Sequence, residues 1–512
     1  MSKNAFPQRG PKNDNKSPVW ELYGNRFFLD QGPLELLSEL LLICFSNKRY
    51  DGIEFDSIFP KLDKINDIFE ITYIPSYRIS LKLFALYNHQ TGDRIIPFLE
   101  DTYNDLINSC ASSIESSDYK KDVLVDVFKS VYKGFSGVGV NRDWCAQSFL
   151  PISESLISGE SIWSNHDSRE MAFTCWDDVN KCISHNKRAF YSRGGEVIYL
   201  QLLLALNQPK EKIAELFRSE KYKNIHFSDE ELSPNKMREK LNYCFSSIYT
   251  NKVPEFFNSF VNNLINDCKE IEEATEGNDI YIGFIPTDAW EFGYLFAVEL
   301  SRLFDSSFDI VDMIRHLENA CVLQLIRTLL WGSADYLETN RPYLPVVPSR
   351  CNNTNYKLIS NESFNYSMRL IKEASLKIAE GKDISNISKY GYKLFQKIGK
   401  NIGFIQPPRG GLEHFVLSKD LVVLLVSTTL TPGQTLTFDH FLKEIEVRYG
   451  LVIDSDGFNK SNEQYLKNQH IDDRKMIDWI IDILRECDYF VELSDSISLV
   501  KNTNISEGKY EK

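Results

Sequence analysis

The stretch DIVDMIRHLENACVLQLIRTLLWGSADYL, residues 309–337, constrains the fold of this chain more than any other segment. Its apolar side chains recur every three or four residues, and among them are Ile314, Leu317, Cys321, Leu325 and Leu329. This period places them on one face of a helix, because an α-helix makes one turn in about 3.6 residues. The segment therefore predicts one long helix.

Similar patterns recur along most of the chain and predict a mainly α fold. In DQGPLELLSELLLICFSNK the apolar positions surround the helix almost completely, which predicts a buried helix that begins near Pro33. The segment TDAWEFGYLFAVELSRLF opens with Asp288 and Glu291 in the spacing of a capping box, which predicts a helix start there.

The C-terminal segment, residues 415–503, has the element order of a winged helix. Ser418 is placed to cap the helix SKDLVVLLVSTTL, and an extended piece and a second helix follow in TPGQTLTFDHFLKEIEVRYGL. After a polar loop, DSDGFNKSNEQ, come a third helix in DDRKMIDWIIDILREC and two alternating strands in DYFVELSDSISLVKN. The predicted fold class is mainly α, a multi-domain helical protein with a C-terminal winged-helix-like domain.

Changes in composition indicate where the domains begin and end. The clearest boundary is NRPYLPVVPSRCNNTNYK, where three prolines fall within seven residues. The predicted division is a flexible tail at 1–18, an N-terminal helical domain at 19–143, a central helical domain at 144–345, a basic helical connector at 346–414, a winged-helix-like domain at 415–503 and a flexible tail at 504–512.

The charge balance limits how this chain can bind nucleic acid. Its net charge is -14, whereas a protein that follows phosphates over its whole surface has the opposite sign. Nucleic-acid contact is therefore expected only at a local patch of basic and aromatic residues. The best candidate is KYGYKLFQKIGKNIGFIQPPRGG, with the predicted contacts Lys389, Lys393, Lys397, Lys400 and Arg409. The alternative interpretation is an ordinary solvated lysine face.

The third helix of the winged-helix-like segment is acidic. Residues 472–486 contain five acidic side chains and three basic ones. A helix of this charge approaches DNA phosphates poorly. A protein partner is therefore favoured for this helix, and DNA is the alternative.

Two Arg-Gly-Gly turns, at 193–195 and 409–411, are candidates for anion binding. Glycines let backbone N–H groups face an anion, and a helix N-terminus adds partial positive charge. The alternative is structural: the glycines adopt positive φ ahead of a buried helix, and Glu196 in the first turn would repel a phosphate. The anion contacts predicted near the first turn are Lys187, Arg188 and Arg193.

The sequence contains no known catalytic, metal-binding or cofactor-binding motif. Its ten cysteines are scattered without a C-x-x-C pair, which favours reduced cysteines in the cores of a cytosolic protein. The eight histidines form no ligand pair at helical spacing, and G-x-S-x-G and phosphate loops are missing. No apolar run approaches the ~20 residues of a membrane helix, and the N-terminus lacks the apolar region of a signal peptide. A cytoplasmic location without membrane contact is expected.

The stretch IGFIQPPRGGLEHFVLSKDLVVLLVSTTLTPGQTLTFDHFLKEIEVRYGLVI, residues 402–453, resembles the C-terminal winged-helix ends of large accessory proteins in bacterial antiphage defence gene clusters. The segment LYGNRFFLDQGPLELLSELL is similar to the same proteins in general style. The resemblance covers a minor part of the chain and matches no defined motif, so it transfers no functional residue. It implies a cytosolic bacterial protein that acts in a multi-protein complex near DNA.

These observations predict a non-enzymatic subunit of a cytosolic bacterial complex with a role in antiphage defence. Such a subunit would dock other proteins and touch DNA or RNA through the patch between Lys389 and Arg409. The alternative is an enzyme, a nuclease or a nucleotide-dependent effector, whose site is assembled only by the fold. Convergence of His185, Arg188 and Arg193 with acidic side chains in one deep pocket would favour the enzyme.

Overall fold

The protein is described here by a computed structural model. The described residues are 5–8, 19–24, 32–79, 81, 130–133, 148–159, 162–163, 183–184, 194–250, single positions between 258 and 273, 279–380, 387–465, 471–493 and 498–505.

This part of the chain is mainly helical, which confirms the mainly α part of the predicted fold class. The helices are α1 (Val19–Tyr23), α2 (Pro33–Phe45), α3 (Gly194–Leu206), α4 (Lys210–Phe217), α5 (Pro234–Ser247), α6 (Trp290–Asp305), α7 (Ile310–Tyr336), α8 (Thr354–Ala379), α9 (Ile387–Tyr390), α10 (Tyr392–Asn401), α11 (Lys419–Thr429), α12 (Phe438–Tyr449), α13 (Ser455–Gln464) and α14 (Asp478–Glu486). The strands are β1 (Ala5–Phe6), β2 (Asn47–Tyr50), β3 (Ile53–Phe55), β4 (Ile71–Ile74), β5 (Tyr132–Lys133), β6 (Ser148–Phe149), β7 (Ile162–Trp163), β8 (Ile183–Ser184), β9 (Ile280–Tyr281), β10 (Ile285–Pro286), β11 (Leu344–Pro348), β12 (Ile405–Gln406), β13 (His414–Leu417), β14 (Thr435–Thr437), β15 (Leu451–Val452), β16 (Phe490–Glu492) and β17 (Ser498–Lys501).

Helices α3, α6 and α7 form the centre of the described core. Every residue of α3 is buried, and α6 packs against both α3 and α11. The prediction of one long helix at 309–337 is confirmed by α7. Its start is capped by the Asp309 carboxylate, which accepts from the backbone N–H of Val311 at 2.8 Å.

Two glycines bring the central helices close together. A Cβ atom at Gly195 of α3 would lie 2.7 Å from the carbonyl oxygen of Leu36 in α2. A Cβ atom at Gly293 of α6 would overlap the carbonyl oxygen of Gln201 in α3. Protein interiors are packed as densely as crystals of small organic molecules, so a larger residue at either position would push the helices apart.

A four-stranded sheet joins segments that are distant in the sequence. The strand order is β12-β13-β11-β15, and β11 is parallel to both β13 and β15. Helix α8 packs against β11 and β13. The proline-rich segment, which was predicted to mark a domain boundary near residue 345, therefore forms β11, an inner strand of this sheet. The limits of the predicted domains are not tested by this and stay predictions.

The C-terminal elements surround a second, antiparallel sheet with the order β14-β17-β16. Helices α12 and α14 contact its strands, and α11 contacts both of these helices. The predicted cap is confirmed, because the Ser418 hydroxyl accepts from the backbone N–H of Leu421 at 3.3 Å. Helix α11 also packs against α6 and α7, so the C-terminal elements share one core with the helical body.

The polar segment predicted as a loop between the second and third C-terminal helices is in fact helix α13. The Asp454 carboxylate caps its first turn by accepting from the backbone N–H of Gly457 at 2.8 Å. Phe458 is fully buried, whereas most of the other side chains are polar. A helix with so few apolar positions shows little periodicity, which explains why the pattern was misleading.

The capping box predicted at Asp288 and Glu291 is not formed. Helix α6 begins at Trp290, after a short 3-10 turn, and no side chain caps it. Glu291 makes ion pairs with Lys221 and Arg341 instead. Tertiary partners thus outcompete the local backbone N–H for this carboxylate.

Two general expectations concern membranes and cysteines. Within the ranges given above, no helix combines the length and the apolar character needed to cross a bilayer.

Cys44, Cys244, Cys321 and Cys351 are buried and have free thiols, and Cys487 is half-buried. Their positions agree with the prediction of small, reduced core residues.

Candidate functional site

A network of buried charged side chains lies where α6, α7 and α12 meet. Arg302 of α6 donates to the Glu231 carboxylate through Nε and Nη2, at 2.7 and 3.0 Å. Arg327 of α7 donates to Glu299 of α6 at 2.7 Å. These side chains are almost completely excluded from solvent.

The third ion pair of this network lies within α12, between Arg448 and Glu444. The Arg448 Nε donates to Glu444 at 3.2 Å, and both side chains are buried. The two Nη atoms of Arg448 are buried without a partner among the described residues. Burial, and then the nearby Arg302 guanidinium, lower the pKa of Arg448. Arg448 is therefore the least well satisfied member of the network.

The network connects α6 with α7 and with the segment before α5, and Glu444 of α12 joins it by accepting from the backbone N–H of His226 at 3.3 Å. Its three arginines are matched by three glutamates, and a guanidinium contacts each carboxylate. Burial raises the pKa of Glu231, but the hydrogen bonds and charge of Arg302 outweigh burial and hold this pKa below its usual range. All three carboxylates are buried and already bound by a guanidinium, so none of them faces a substrate. The arrangement is therefore structural rather than catalytic.

An open groove lies beside this network, next to the C-terminal end of α7. Its volume is about 840 Å³, and α7, α8, α12, α13 and residues 339–343 contribute to its walls. The lining is polar and contains several aromatic rings. Its principal side chains are Lys221, Arg341, Lys460, Trp331, Tyr343 and Tyr366.

Arg341 is held on three sides at the wall of the groove. Its Nη1 atom is 2.9 Å from Glu291, and its Nη2 atom is 2.9 Å from Asp335. Its guanidinium lies 4.0 Å from the centre of the Trp331 ring, within the range of a cation–π contact. Burial raises the pKa of Glu291, but Arg341 and Lys221 outweigh burial and hold this pKa below its usual range.

The two lysines of the groove also contact a carboxylate and an aromatic ring. Lys221 Nζ lies 5.5 Å from the centre of the Tyr222 ring and 2.7 Å from Glu291, the carboxylate that also binds Arg341. Lys460 Nζ lies 2.7 Å from Glu446 and 5.9 Å from the centre of the Tyr343 ring. Each described cation of the lining is therefore already neutralised by the chain itself.

The exposed side of α14 is acidic. Asp478, Asp482 and Glu486 are exposed there, and Glu492 is exposed on the neighbouring strand β16. Two basic side chains also lie there: Arg485 forms ion pairs with Asp482, at 3.4 Å, and with Glu492, and Lys419 Nζ lies 3.8 Å from Glu486. Four carboxylates therefore face two cations, and the surface keeps a negative charge. We call the surface formed by Asp478, Asp482, Glu486 and Glu492 the acidic face.

Two apolar side chains are exposed next to the acidic face. Val491 and Leu493 are 38% and 47% exposed, and Val491 belongs to β16, an edge strand of its sheet. Exposed apolar groups at a sheet edge favour contact with another protein. The acidic face thus borders a small apolar surface.

The residues of the predicted basic patch have different surroundings. Lys393 on α10 and Arg409 are exposed. Lys397 is half-buried and interacts electrostatically with Glu35 of α2. Lys400 is also half-buried, and its Nζ lies 3.2 Å from the carboxylate of Glu413. Two of these four cations therefore face acidic groups of the chain.

Other predicted residues lie outside the described part of the chain. This applies to Lys187, Arg188, Arg193 and His185, and to the side chain of Lys389. The anion site near the first Arg-Gly-Gly turn and the convergence expected of an enzyme therefore stay predictions.

The two Arg-Gly-Gly turns differ in structure. At the first, the backbone N–H of Glu196 donates to the buried Glu39 carboxylate at 3.2 Å, so a carboxylate of the chain itself occupies this donor. Gly195 has no positive φ, so the expectation of positive φ is wrong for this glycine. At the second turn Gly410 has a φ of +108°, as expected, but the turn leads into β13 instead of a helix.

Sequence reasoning missed the buried network and the groove. Glu444 and Arg448 do have a sequence signal, since they are four residues apart on one helix. Glu231 and Arg302 are separated by 71 positions, so no local pattern connects them.

The acidic face and the groove are thus the candidate sites for binding a ligand. In the ranges that the structure covers, no group of three His, Cys, Asp or Glu side chains could hold a metal ion. A comparison with protein-family models, curated proteins and solved structures finds no match for this chain.

Proposed function

We propose that this chain is a non-enzymatic subunit of a protein complex and docks a basic protein partner through the acidic face. The observation on which this depends is the concentration of exposed carboxylates on α14 and β16, at Asp478, Asp482, Glu486 and Glu492. Complementary charge speeds the encounter of two proteins and disfavours wrong partners.

We infer further that the C-terminal elements form a winged-helix-like unit. The order α11, β14, α12, α14, β16, β17 and the pairing of β14 with β17 support this inference. Strand β15 and helix α13 are inserted between α12 and α14, and both contact β11 of the four-stranded sheet. The insertion is a departure from the simple winged-helix order.

The charge of α14 favours a protein partner over DNA. In a winged helix the third helix enters the major groove, where it approaches phosphates on both sides. The exposed carboxylates of α14 would be repelled there, and Arg485 is already paired with two acidic groups. The neighbouring Val491 and Leu493 would add apolar contact area to a protein interface.

Two further parts of the proposal stay predictions. The first is membership of a bacterial antiphage complex, which a capture of the native complex from its host would test. The second is contact with nucleic acid through Lys393 and Arg409, which are the exposed members of the basic patch.

The docking proposal is tested by neutralising the acidic face without changing its shape. We expect the triple variant Asp478→Asn/Asp482→Asn/Glu486→Gln to lose the partner that the native protein captures from its host, because complementary charge is removed. Capture by the native protein should weaken as salt rises, since exposed charges are screened. The measurement is quantitative mass spectrometry of captured proteins, with cross-links mapped to α14.

The control is Glu211→Gln/Glu215→Gln on the exposed side of α4, which removes two charges where the triple variant removes three. It removes carboxylates from another helix and should leave capture unchanged. Equal capture by the triple variant, or cross-links that avoid α14, would refute the proposal. Tight binding of duplex DNA to the acidic face would instead support the DNA alternative.

A further inference from the structure

The groove contains a repeated arrangement of cation, aromatic ring and carboxylate. Arg341 has the Trp331 ring at 4.0 Å and the Asp335 carboxylate at 2.9 Å. Lys221 and Lys460 are each placed in the same way, against one ring and one carboxylate. In all three cases the cation is supplied by the chain itself.

Another ring and another carboxylate line the groove without such a cation. Tyr366 is half-buried, and the centre of its ring lies 4.7 Å from that of Tyr465. Glu463 on α13 is exposed and also lines the groove. Within the described part of the chain, neither a cation over the Tyr366 ring nor an ion pair of Glu463 is found.

We propose that Tyr366 and Glu463 form a binding site for an organic cation, namely an arginine or lysine side chain from a basic segment of the partner protein. The inference rests on the proposed docking function and assigns one contact of that partner. The ring face of a tyrosine attracts a cation, and a nearby carboxylate neutralises it.

The ion pairs of the groove favour a cation over a phosphate at this place. Arg341, Lys221 and Lys460 each have a carboxylate within hydrogen-bonding distance. An incoming anion would have to break one of these pairs, and it would meet the unpaired Glu463 as well. An incoming cation meets the exposed Glu463 carboxylate and the part of the Tyr366 ring that Tyr465 leaves uncovered, and it breaks no ion pair.

The test is a titration of the full chain with a short glycine-serine peptide that contains one central arginine. The same peptide with citrulline in place of arginine keeps the shape of the side chain and removes the charge. We expect the arginine peptide to bind and the citrulline peptide to bind much more weakly. Binding is followed by saturation-transfer NMR, which detects weak ligands.

Variants locate the binding at the groove. Glu463→Gln and Tyr366→Leu should each weaken binding of the arginine peptide by about fivefold, the size of one exposed charge or cation–π contact. Tyr366→Phe keeps the ring and should retain binding. Glu373→Gln on the exposed side of α8 is the control, because it removes an equal charge outside the groove.

Equal binding of the arginine and citrulline peptides would overturn the inference. Loss of binding in Glu373→Gln as large as in Glu463→Gln would also overturn it, because the effect would then be a general one of net charge. Either result leaves the proposed function standing if capture of the partner still depends on Asp478, Asp482 and Glu486. Conversely, if peptide binding requires Glu463 but capture of the partner does not require the acidic face, the cation site in the groove is supported and the proposed docking surface is refuted.

Discussion

Gly195 and Gly410 occur in the same three-residue motif, but the fold uses them differently. Gly195 allows α3 to cross α2, because a Cβ there would lie 2.6 Å from the backbone nitrogen of Leu40. Gly410 supplies a positive φ in an exposed turn, where a Cβ would meet only Pro407 at 4.0 Å. A short motif therefore indicates that glycine is required, whereas the reason depends on which elements lie nearby.

The first prediction concerns Gly195. Replacement by alanine should lower the free energy of unfolding by about 1–3 kcal/mol, because the added methyl group overpacks the crossing of α2 and α3. Urea unfolding followed by circular dichroism measures the change. Gly411→Ala is the control, since a Cβ at Gly411 meets no atom within 4 Å. Equal stability of the two variants would show that the helices can separate without cost.

At the scale of elements, the basic helix α10 contains cations of two kinds. Lys393 is exposed, as is Arg409 in the turn that follows β12, whereas Lys400 is paired with Glu413. Only a cation that is not already paired can release counterions from a phosphate at low cost. The exposed pair should therefore contribute most of any affinity for nucleic acid.

The second prediction follows from this difference. Lys393→Glu/Arg409→Glu should abolish the retardation of single-stranded DNA by the native chain at low salt, and Lys400→Gln should change it little. Gel-shift assays at two salt concentrations measure the effect. If the native chain fails to retard DNA, or if Lys400→Gln has the same effect as the double variant, the basic patch is an ordinary solvated surface.

The sequence predicted those elements whose stabilisation is local. Helix α7 has a continuous apolar period, and Ser418 caps α11 through a bond to a residue three positions away. Helix α13 was not predicted, because its sequence has too few apolar positions to show a helical period. Its burial depends mainly on Phe458, which packs with residues of β11, β13 and β15. The register of these strands depends on distant partners, and periodicity within one segment cannot specify it.

At the scale of the whole molecule, buried ion pairs connect parts of the chain that are far apart in the sequence. Arg302 binds Glu231 and also donates to the backbone carbonyls of Thr429 and His226. One side chain thus joins α6, the end of α11 and the segment before α5. The acidic face of α14 could be predicted from composition alone, but this network and the groove could not, because each needs several distant segments.

The third prediction concerns this network. Glu231→Gln should lower the free energy of unfolding by about 3–5 kcal/mol, because it leaves the buried Arg302 guanidinium without its carboxylate. The double variant Glu231→Leu/Arg302→Met should recover part of this loss, since no buried charge remains unpaired. Chemical denaturation at neutral pH measures both. A double variant less stable than Glu231→Gln would contradict this prediction. It would show that the contacts of the ion pair stabilise the fold, beyond the need to leave no buried charge unpaired.

The position of α11 has a consequence for synthesis of the chain. This helix, Lys419–Thr429, covers apolar surface of α6 and α7, both of which end more than 80 positions before it in the sequence. During translation those two helices leave the ribosome long before their cover is made, and exposed apolar surface of this kind attracts chaperones or aggregates. A nascent chain halted before residue 419 should therefore remain bound to a chaperone, whereas a chain extended through α11 should be released.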